Sequence, residues 1–290
     1  MSKKAYFMPE GPEIRTVADK LRPVLVSRII TNSHKDERAN TVGFDNLKCP
    51  VTIIGVRSHG KKLIIDIDSG HMIIASFGME GRLQYSPGNH SHIWFDISDC
   101  QVNGPLKIMK YVFSLYFDDT RYMGGIDIIP NAGIPLYFQD IGPDLLQLAL
   151  NEQTWMPQET WLAIYSQPKL MKRMICEVLK DQSLVGGIGN YASCEILYYS
   201  AIHPERKIES LSYDDWDRIR INSHKVLRLS YAHGGCTIKS FISPDGQPGR
   251  YIPAVYGTKK NKPLDPLGNP IVRSKKGTKQ TNHWVPAVQI

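Results

Sequence analysis

Short apolar segments rich in β-branched and aromatic residues fill the first half of the chain. Five of them predict strands: 51–56, 63–67, 72–77, 93–97 and 111–117. In the last segment apolar residues alternate with polar ones, which predicts one buried face made by Tyr111, Phe113, Leu115 and Phe117. Gly, Pro and Asn residues separate the segments. The pattern therefore predicts an all-β sandwich or barrel.

Helical spacing precedes and follows these strands. Pro12 suits a first helical turn, and apolar residues recur at helical spacing until Pro23, where we expect the helix to stop. Further on, two apolar faces predict helices, one of Met171, Met174, Ile175 and Val178, the other of Trp216, Ile219, Val226 and Leu227. Residues 251–290 return to short extended pieces. The predicted order is a leading helix, a β domain, a helical domain and a small β-hairpin.

The composition is that of an ordinary globular protein. The 290 residues are 42% hydrophobic and 22% charged, enough for two domains, although one large domain also fits. No C-x-x-C pair occurs among the cysteines, which are Cys49, Cys100, Cys176, Cys194 and Cys236. This favours reduced thiols over a disulfide framework or a cysteine zinc site. No transmembrane-length apolar run or signal-peptide core is present, so we expect a soluble intracellular protein of undetermined compartment.

The positive charge lies almost entirely at the C-terminal end. The net charge is +7, and residues 236–290 hold nine Lys and Arg against two Asp. A solvated, solubilising tail is one interpretation. The other is a phosphate-binding element for nucleic acid. Tyr251, Tyr256 and Trp284 lie in the same segment, which favours a folded element.

The segment Met8-Pro9-Glu10 carries the most distinctive chemistry. If translation began at Met8 and that methionine were removed, Pro9 would have a free secondary amine, which can attack a sugar aldehyde carbon and form an iminium. In the chain as it stands, Pro9 is internal and its nitrogen is an amide without nucleophilic character. Whether the protein is a catalyst or only binds its target therefore depends on whether residues 1–7 are retained. We expect them to be an extension foreign to the working protein.

Three other motifs are weak when taken singly. Residues 187–192 fit G-x-G-x-x-A, but a helix is predicted before them where a dinucleotide loop needs a strand. Such a loop can instead hold one phosphate, with Asn190 as an added donor, or simply connect two helices. Gly60-Lys61 begins a strand, and residues 77–82 predict a hairpin tip that exposes Met79. A nicotinamide-dependent enzyme built on the glycine loop is the least favoured interpretation.

Together and in this order, the motifs resemble the formamidopyrimidine-DNA glycosylase/endonuclease VIII family over nearly all of residues 8–290. The matching segments are Met8-Pro-Glu-Gly-Pro-Glu-Ile-Arg, Gly60-Lys61, Phe77-Gly-Met-Glu-Gly, Asp119-Thr-Arg-Tyr-Met-Gly, Ile141-Gly-Pro-Asp, Gly187-Ile-Gly-Asn-Tyr and Asp245-Gly-Gln-Pro-Gly. The resemblance implies an N-terminal catalytic antiparallel β-sandwich with a leading helix over 8–136. A linker over 137–150, a helix–two-turn–helix domain over 151–235 and a β-hairpin finger over 236–290 would follow.

The resemblance also implies roles for individual residues. The catalytic group would be Pro9 as nucleophile, Glu10 as general acid/base and Lys61 as the assisting lysine, with Glu13 and Glu195 nearby. Arg121, Met79 and Met123 would fill the space left by a flipped base. Further DNA contacts would come from His90, Lys172, Asn190, Lys279 and Gln280.

The finger departs from the zinc-bearing pattern of the family. Aliphatic residues stand where a zinc-bearing member has four cysteines, namely Leu264, Leu267, Val285 and Val288. Zinc cannot bind such a site without thiolates, so we expect no metal and no other cofactor. An apolar cluster of these four side chains is expected to hold a zincless finger. Gln280 falls where the family has its finger arginine, and Tyr122 replaces the second arginine of the segment that begins at Asp119.

The predicted function is a bifunctional DNA glycosylase and AP lyase of base excision repair that acts, as a monomer, on damaged duplex or single-stranded DNA. The start at Met8 resembles the endonuclease VIII form, which implies oxidised pyrimidines, whereas residues 241–249 resemble the formamidopyrimidine branch, which implies ring-opened purines and 8-oxoguanine. The alternative is a catalytically silent protein that binds damaged DNA on the same scaffold.

Overall fold

The computed structural model describes residues 8–103, 106–237, 241–257, 263–275 and 280–290, with only the backbone described over 100–103 and 106–108. Within these ranges no helix is both long and apolar enough to cross a membrane.

Helix α1 (Gly11–Leu25) leads the fold as expected, with Pro12 in its first turn. Its apolar side chains are buried against the sheet. The expected stop at Pro23 is wrong, because the helix continues to Leu25 and closes with a bond from the Val26 N–H to the Arg22 carbonyl (3.1 Å). Pro23 lies in the last turn, where its missing N–H removes a single helical hydrogen bond.

Eight antiparallel strands follow, in the spatial order β5-β7-β6-β1-β2-β3-β4-β8. They are β1 (Ile29–Lys35), β2 (Val51–His59), β3 (Lys62–Ile67), β4 (His71–Ser76), β5 (Arg82–Gln84), β6 (Ser91–Asn103), β7 (Leu106–Asp118) and β8 (Gly125–Pro130). β1 and β2 are joined by only two paired positions, so the strands divide into two four-stranded layers around a shared core. The antiparallel sandwich and all five predicted strands are confirmed, whereas β1, β5 and β8 were not predicted.

The predicted buried face of β7 is only partly right. Phe117 and Leu115 are buried, but Tyr111 is 60% exposed. A bulge between the Ile97–Phe113 and Ser98–Tyr111 pairs inserts one residue into β7. An extra residue shifts the side-chain alternation, and Tyr111 therefore lies on the outer face beside Ser114.

A helical region follows from Ile134 to Ala232. Its α-helices are α2 (Ile134–Phe138), α3 (Leu145–Ala149), α4 (Gln158–Tyr165), α5 (Ile175–Val178), α6 (Asn190–Tyr199) and α7 (Tyr213–Ala232). The helix predicted on Trp216 and Leu227 is confirmed as α7. The helix predicted on Met171 and Met174 is wrong over most of its length, because Met174 is extended and bridges Lys207, so that only the short α5 remains.

A two-stranded hairpin of β9 (Val272–Ser274) and β10 (Asn282–Trp284) lies near the C-terminal end. The expected aliphatic cluster is wrong for two of its members, since Leu264 is 52% and Leu267 is 76% exposed. Asp265 orders this turn instead, because its carboxylate accepts the backbone N–H groups of Leu267 and Asn269 and the Tyr198 hydroxyl. Polar contacts therefore replace the expected apolar contacts in this turn.

Val285 and Val288, the other expected members of the cluster, do pack against the core. The buried Gln289 side chain accepts the Val285 N–H (2.8 Å) and donates to the Ile202 carbonyl (2.9 Å). The C-terminal end of the hairpin is thus joined to the helical region by a polar side chain as well as by aliphatic packing.

Candidate active site

Three glycine-containing segments meet backbone to backbone between the sandwich and the helical region. The Gly11 N–H at the start of α1 donates to the Gly187 carbonyl (2.9 Å). A Cβ on Gly60, in the turn between β2 and β3, would lie 3.3 Å from the Gly186 Cα. Gly60 also has φ +56°, where side chains are strained. These glycines allow residues 8–13, Lys61 and the 186–192 loop to converge.

Glu10 is buried where this loop begins α6. Its carboxylate accepts the backbone N–H groups of Gly189 (2.6 Å), Tyr191 (2.9 Å) and Ala192 (3.3 Å). Burial raises the pKa of Glu10 to about 6, against the lowering effects of the Lys61 charge and the N–H donors. The sequence left open whether this glycine loop holds a phosphate or simply connects two helices, and in the structure three N–H groups of residues 189–192 bind Glu10.

Glu13 lies beside Glu10 and is fully buried. It accepts the Glu10 N–H (2.9 Å), the Cys236 N–H (2.7 Å) and the Tyr191 hydroxyl (3.1 Å). Burial, together with the nearby Glu10 charge, raises the pKa of Glu13 to about 7, against the lowering effect of its hydrogen bonds. Its contacts connect α1 to α6 and to the segment after α7.

Lys61 lies opposite this carboxylate pair. Desolvation by the surrounding protein lowers the pKa of Lys61, and the Lys180 charge lowers it as well, while the charges of Glu10 and Glu13 act in the opposite direction. Asp144, which caps α3, accepts the Gly60 N–H (3.0 Å) and so fixes the turn that carries Lys61. Asp144 was not predicted as a site residue, although it is the last residue of the linker motif Ile141-Gly-Pro-Asp.

Pro9 is buried next to Glu10, with its nitrogen in the peptide bond to Met8. The structure thus brings Pro9, Glu10, Glu13 and Lys61 together. It also connects them to Asn190, whose side chain donates to the Thr281 carbonyl (3.0 Å) and the Tyr256 hydroxyl (3.2 Å).

Glu195 lies farther along α6 and is fully buried. Its carboxylate accepts the backbone N–H groups of Ala254 (2.7 Å), Val255 (3.0 Å) and Tyr256 (3.0 Å), and burial raises the pKa of Glu195. These contacts hold the 254–256 segment and, through Tyr256, the side chain of Asn190. The catalytic role expected for Glu195 stays a prediction.

The three residues expected to fill a vacated base position lie together. The Arg121 guanidinium contacts the Met79 sulfur (3.7 Å) and lies 3.6 Å from a Glu80 carboxylate oxygen. The Gly78 turn packs closely on the backbone of Met123, whose side chain is 54% exposed. Buried Asp119 accepts the Arg121 and Gly124 N–H groups, which fixes this loop. Their action on DNA stays a prediction.

The remaining expected DNA contacts are dispersed. His90 is half-buried and its N–H donates to Asp118 (3.0 Å), whereas Lys172 is exposed and paired with Glu209 (2.8 Å). Gln280 is exposed, and Lys279 lies outside the described residues. In the described ranges no cluster of three or more His, Cys, Asp or Glu side chains is arranged to hold a metal ion.

Comparison with known proteins finds two domains of one family in this chain. The formamidopyrimidine-DNA glycosylase N-terminal domain matches residues 8–126, and the H2TH domain of the same family matches residues 150–242. The formamidopyrimidine-DNA glycosylase of Thermomicrobium roseum is 27% identical over 92% of this chain and 94% of its own length. That of Rickettsia felis is 28% identical over 94% of this chain and 96% of its own length.

A solved structure shows the same fold over nearly the whole chain. The MutM (Fpg) protein from Thermus thermophilus superposes with a TM-score of 0.80 at 25% identity, covering 97% of this chain and 98% of its own. The antiparallel sandwich and the H2TH domain place this chain among the DNA glycosylases of base excision repair. The chain belongs to the formamidopyrimidine-DNA glycosylase family. The family, the fold class and the enzyme class expected from the sequence are confirmed.

Proposed function

We propose that this enzyme removes oxidised pyrimidines and ring-opened purines from damaged DNA, with 8-oxoguanine as a further substrate, through a Schiff base on Pro9 followed by β-elimination. The observation that carries the proposal is the contact of Glu10 with the N-terminus of α6, which holds the neighbouring Pro9 in the same buried site as Lys61. The match to the N-terminal domain also begins at Met8, directly before Pro9.

The chemistry requires the amine of Pro9 to be free. Its nitrogen then bonds to C1′ of the flipped nucleotide while the glycosidic bond breaks and the base leaves with the electron pair and a proton. The C1′–O4′ bond then breaks, O4′ takes up a proton, and the open-chain sugar is left as an iminium on Pro9. The iminium acidifies the C2′ proton, whose removal breaks the C3′–O bond and releases the downstream strand with its 5′ phosphate. Water then hydrolyses the imine and restores Pro9. An ordinary α-amino group has a pKa of about 8, so a useful neutral fraction exists near neutral pH.

Borohydride trapping tests the nucleophile. The protein that begins at Pro9 is expected to form a covalent adduct with an oligonucleotide containing an oxidised pyrimidine, and the protein that begins at Met1 is expected to form none. The reason is that only the first has a basic nitrogen at Pro9. A matched undamaged oligonucleotide is the control. Adducts from neither form, or equally from both, would contradict the assignment to Pro9.

The second candidate is a catalytically silent protein that binds damaged DNA. It is favoured by one observation, the peptide bond between Met8 and Pro9 in the chain as it stands. In that case the protein that begins at Met1 would bind lesion-containing duplex more tightly than undamaged duplex, yet excise no base.

We propose further that the finger is zincless, supported by Leu264, Leu267, Val285 and Val288 at the expected ligand positions and by the polar contacts of Asp265. We expect purified protein to contain no stoichiometric zinc and a chelator to leave DNA affinity unchanged. Asp265→Ala should instead weaken binding, because it frees the backbone donors of Leu267 and Asn269. Elemental analysis measures the zinc content, and a binding titration measures the DNA affinity. One zinc per chain would contradict the proposal.

A further inference from the structure

Lys180, between α5 and α6, was not singled out by any sequence motif, yet its side chain enters the site. Its ammonium donates to the Asn190 side-chain oxygen (3.2 Å). Asn190 is the first residue of α6, and its amide nitrogen in turn contacts the Thr281 carbonyl next to the finger position Gln280. One amide therefore connects the ammonium of Lys180 to the backbone of the finger.

The N-terminus of α6 carries positive potential around Lys180. Glu10 occupies three of its N–H donors, whereas in the described ranges the backbone N–H of Asn190 has no hydrogen-bond acceptor. A helix N-terminus repels a cation and favours an anion. Glu10 is the anion that this end of α6 already binds, and Lys180 adds a positive charge beside its first residue, Asn190.

The charge of Lys180 acts on the titratable groups around it. It lowers the pKa of Lys61 and the pKa of the Cys176 and Cys194 thiols. Among the described residues it forms no ion pair, in contrast to nearby Arg173, which is 3.0 Å from an Asp181 carboxylate oxygen. A half-buried cation kept without a carboxylate partner is typical of an anion site.

We infer that Lys180 is a further DNA-contacting residue, which binds the phosphate backbone beside Asn190 and supplies a positive charge that Gln280 at the finger position does not. The inference rests on the proposed function. It also gives a reason for the geometry of Asn190: the ammonium occupies the amide oxygen, the amide nitrogen donates to Thr281 and Tyr256, and the backbone N–H is the group left to act as a donor.

Binding of a duplex that contains a tetrahydrofuran abasic analogue, titrated over a range of salt concentrations, tests this inference. Lys180→Met is expected to weaken binding roughly 3- to 10-fold at low salt and to reduce the slope of log K against log salt by about 0.9. Lys180→Arg should preserve the slope because it keeps the charge. Lys225→Met is the matched control, because Lys225 is an exposed lysine on α7.

The outcomes separate the inference from the proposed function. If wild-type protein prefers the abasic duplex and Lys180→Met lowers its affinity without changing the slope, Lys180 has a structural role and the inference is overturned. If Lys180→Met and Lys225→Met change the slope equally, the effect is one of net charge, which also overturns it. If wild-type protein shows no preference for damaged duplex in binding or excision, the proposed function itself fails. Melting curves of each variant exclude unfolding.

Discussion

Glu10→Gln is expected to lower the single-turnover rate of base excision by about 10²- to 10⁴-fold in the protein that begins at Pro9. Both carboxylate oxygens of Glu10 accept backbone N–H groups, so the ionised form is the one whose contacts are satisfied. That anion lies beside Pro9, where a cationic iminium would form. Glutamine keeps the shape but loses the charge, and its amide nitrogen would face a backbone donor.

The pH dependence follows from the raised pKa values. Because burial raises the pKa of Glu10 to about 6 and that of Glu13 to about 7, the rate is expected to rise with pH through this range and to level off only once the Pro9 amine, with an ordinary pKa of about 8, is neutral as well. Glu10→Gln should remove the rise near pH 6. A wild-type rate that falls with pH across this range would show that Glu10 acts as an acid.

The same pKa values affect stability. Both lie above the ordinary value of 4.5, so the folded state binds these protons more tightly than the unfolded state. Their contribution to the free energy of unfolding is fully present below about pH 4.5 and is lost as the pH rises through about 6 and 7. Glu37→Gln, at an exposed position in the sandwich, is the matched control for rate and stability. Affinity for the abasic analogue separates lost chemistry from lost binding.

Glu195→Ala is expected to reduce the free energy of unfolding by about 3 kcal/mol or more, since it leaves three buried backbone N–H groups without an acceptor at about 1–3 kcal/mol each. Those donors belong to Ala254, Val255 and Tyr256. Since Tyr256 contacts Asn190, affinity for the abasic duplex should fall as well. Denaturant unfolding and a binding titration measure the two effects.

Two further variants test whether the loss of stability comes from the hydrogen bonds of Glu195. Glu159→Ala removes an exposed carboxylate from α4 and should change stability by no more than about 0.5 kcal/mol. Glu195→Gln keeps one acceptor oxygen and should fall between wild type and Glu195→Ala. If Glu195→Ala proves as stable as Glu159→Ala but loses excision, Glu195 acts in the chemistry rather than in holding the 254–256 segment.

The spacing of apolar residues predicted a helix or strand correctly where the buried face of that element follows the same spacing. The apolar spacing of α1 and α7 produced buried faces, and the five apolar segments became strands. The prediction was wrong where pairing with a segment farther along the chain decides the local structure. Met174 leaves its helix because the neighbouring Ile175 N–H donates to the Arg206 carbonyl (2.9 Å) and Met174 itself bridges Lys207. Tyr111 changes face because β6 pairs with β7 through a bulge.

The sequence by itself determined the family, the order of its domains and the residue types of the site, because motifs and side-chain periods are properties of neighbouring residues. Only the tertiary structure decided which buried groups meet. Glu10 accepts N–H groups about 180 residues away, Asp144 holds the Lys61 turn, and Lys180 reaches Asn190. A buried carboxylate or ammonium is stabilised by the donors and charges that the folded chain places around it. Because those groups come from distant parts of the chain, the pattern of neighbouring residues does not predict them.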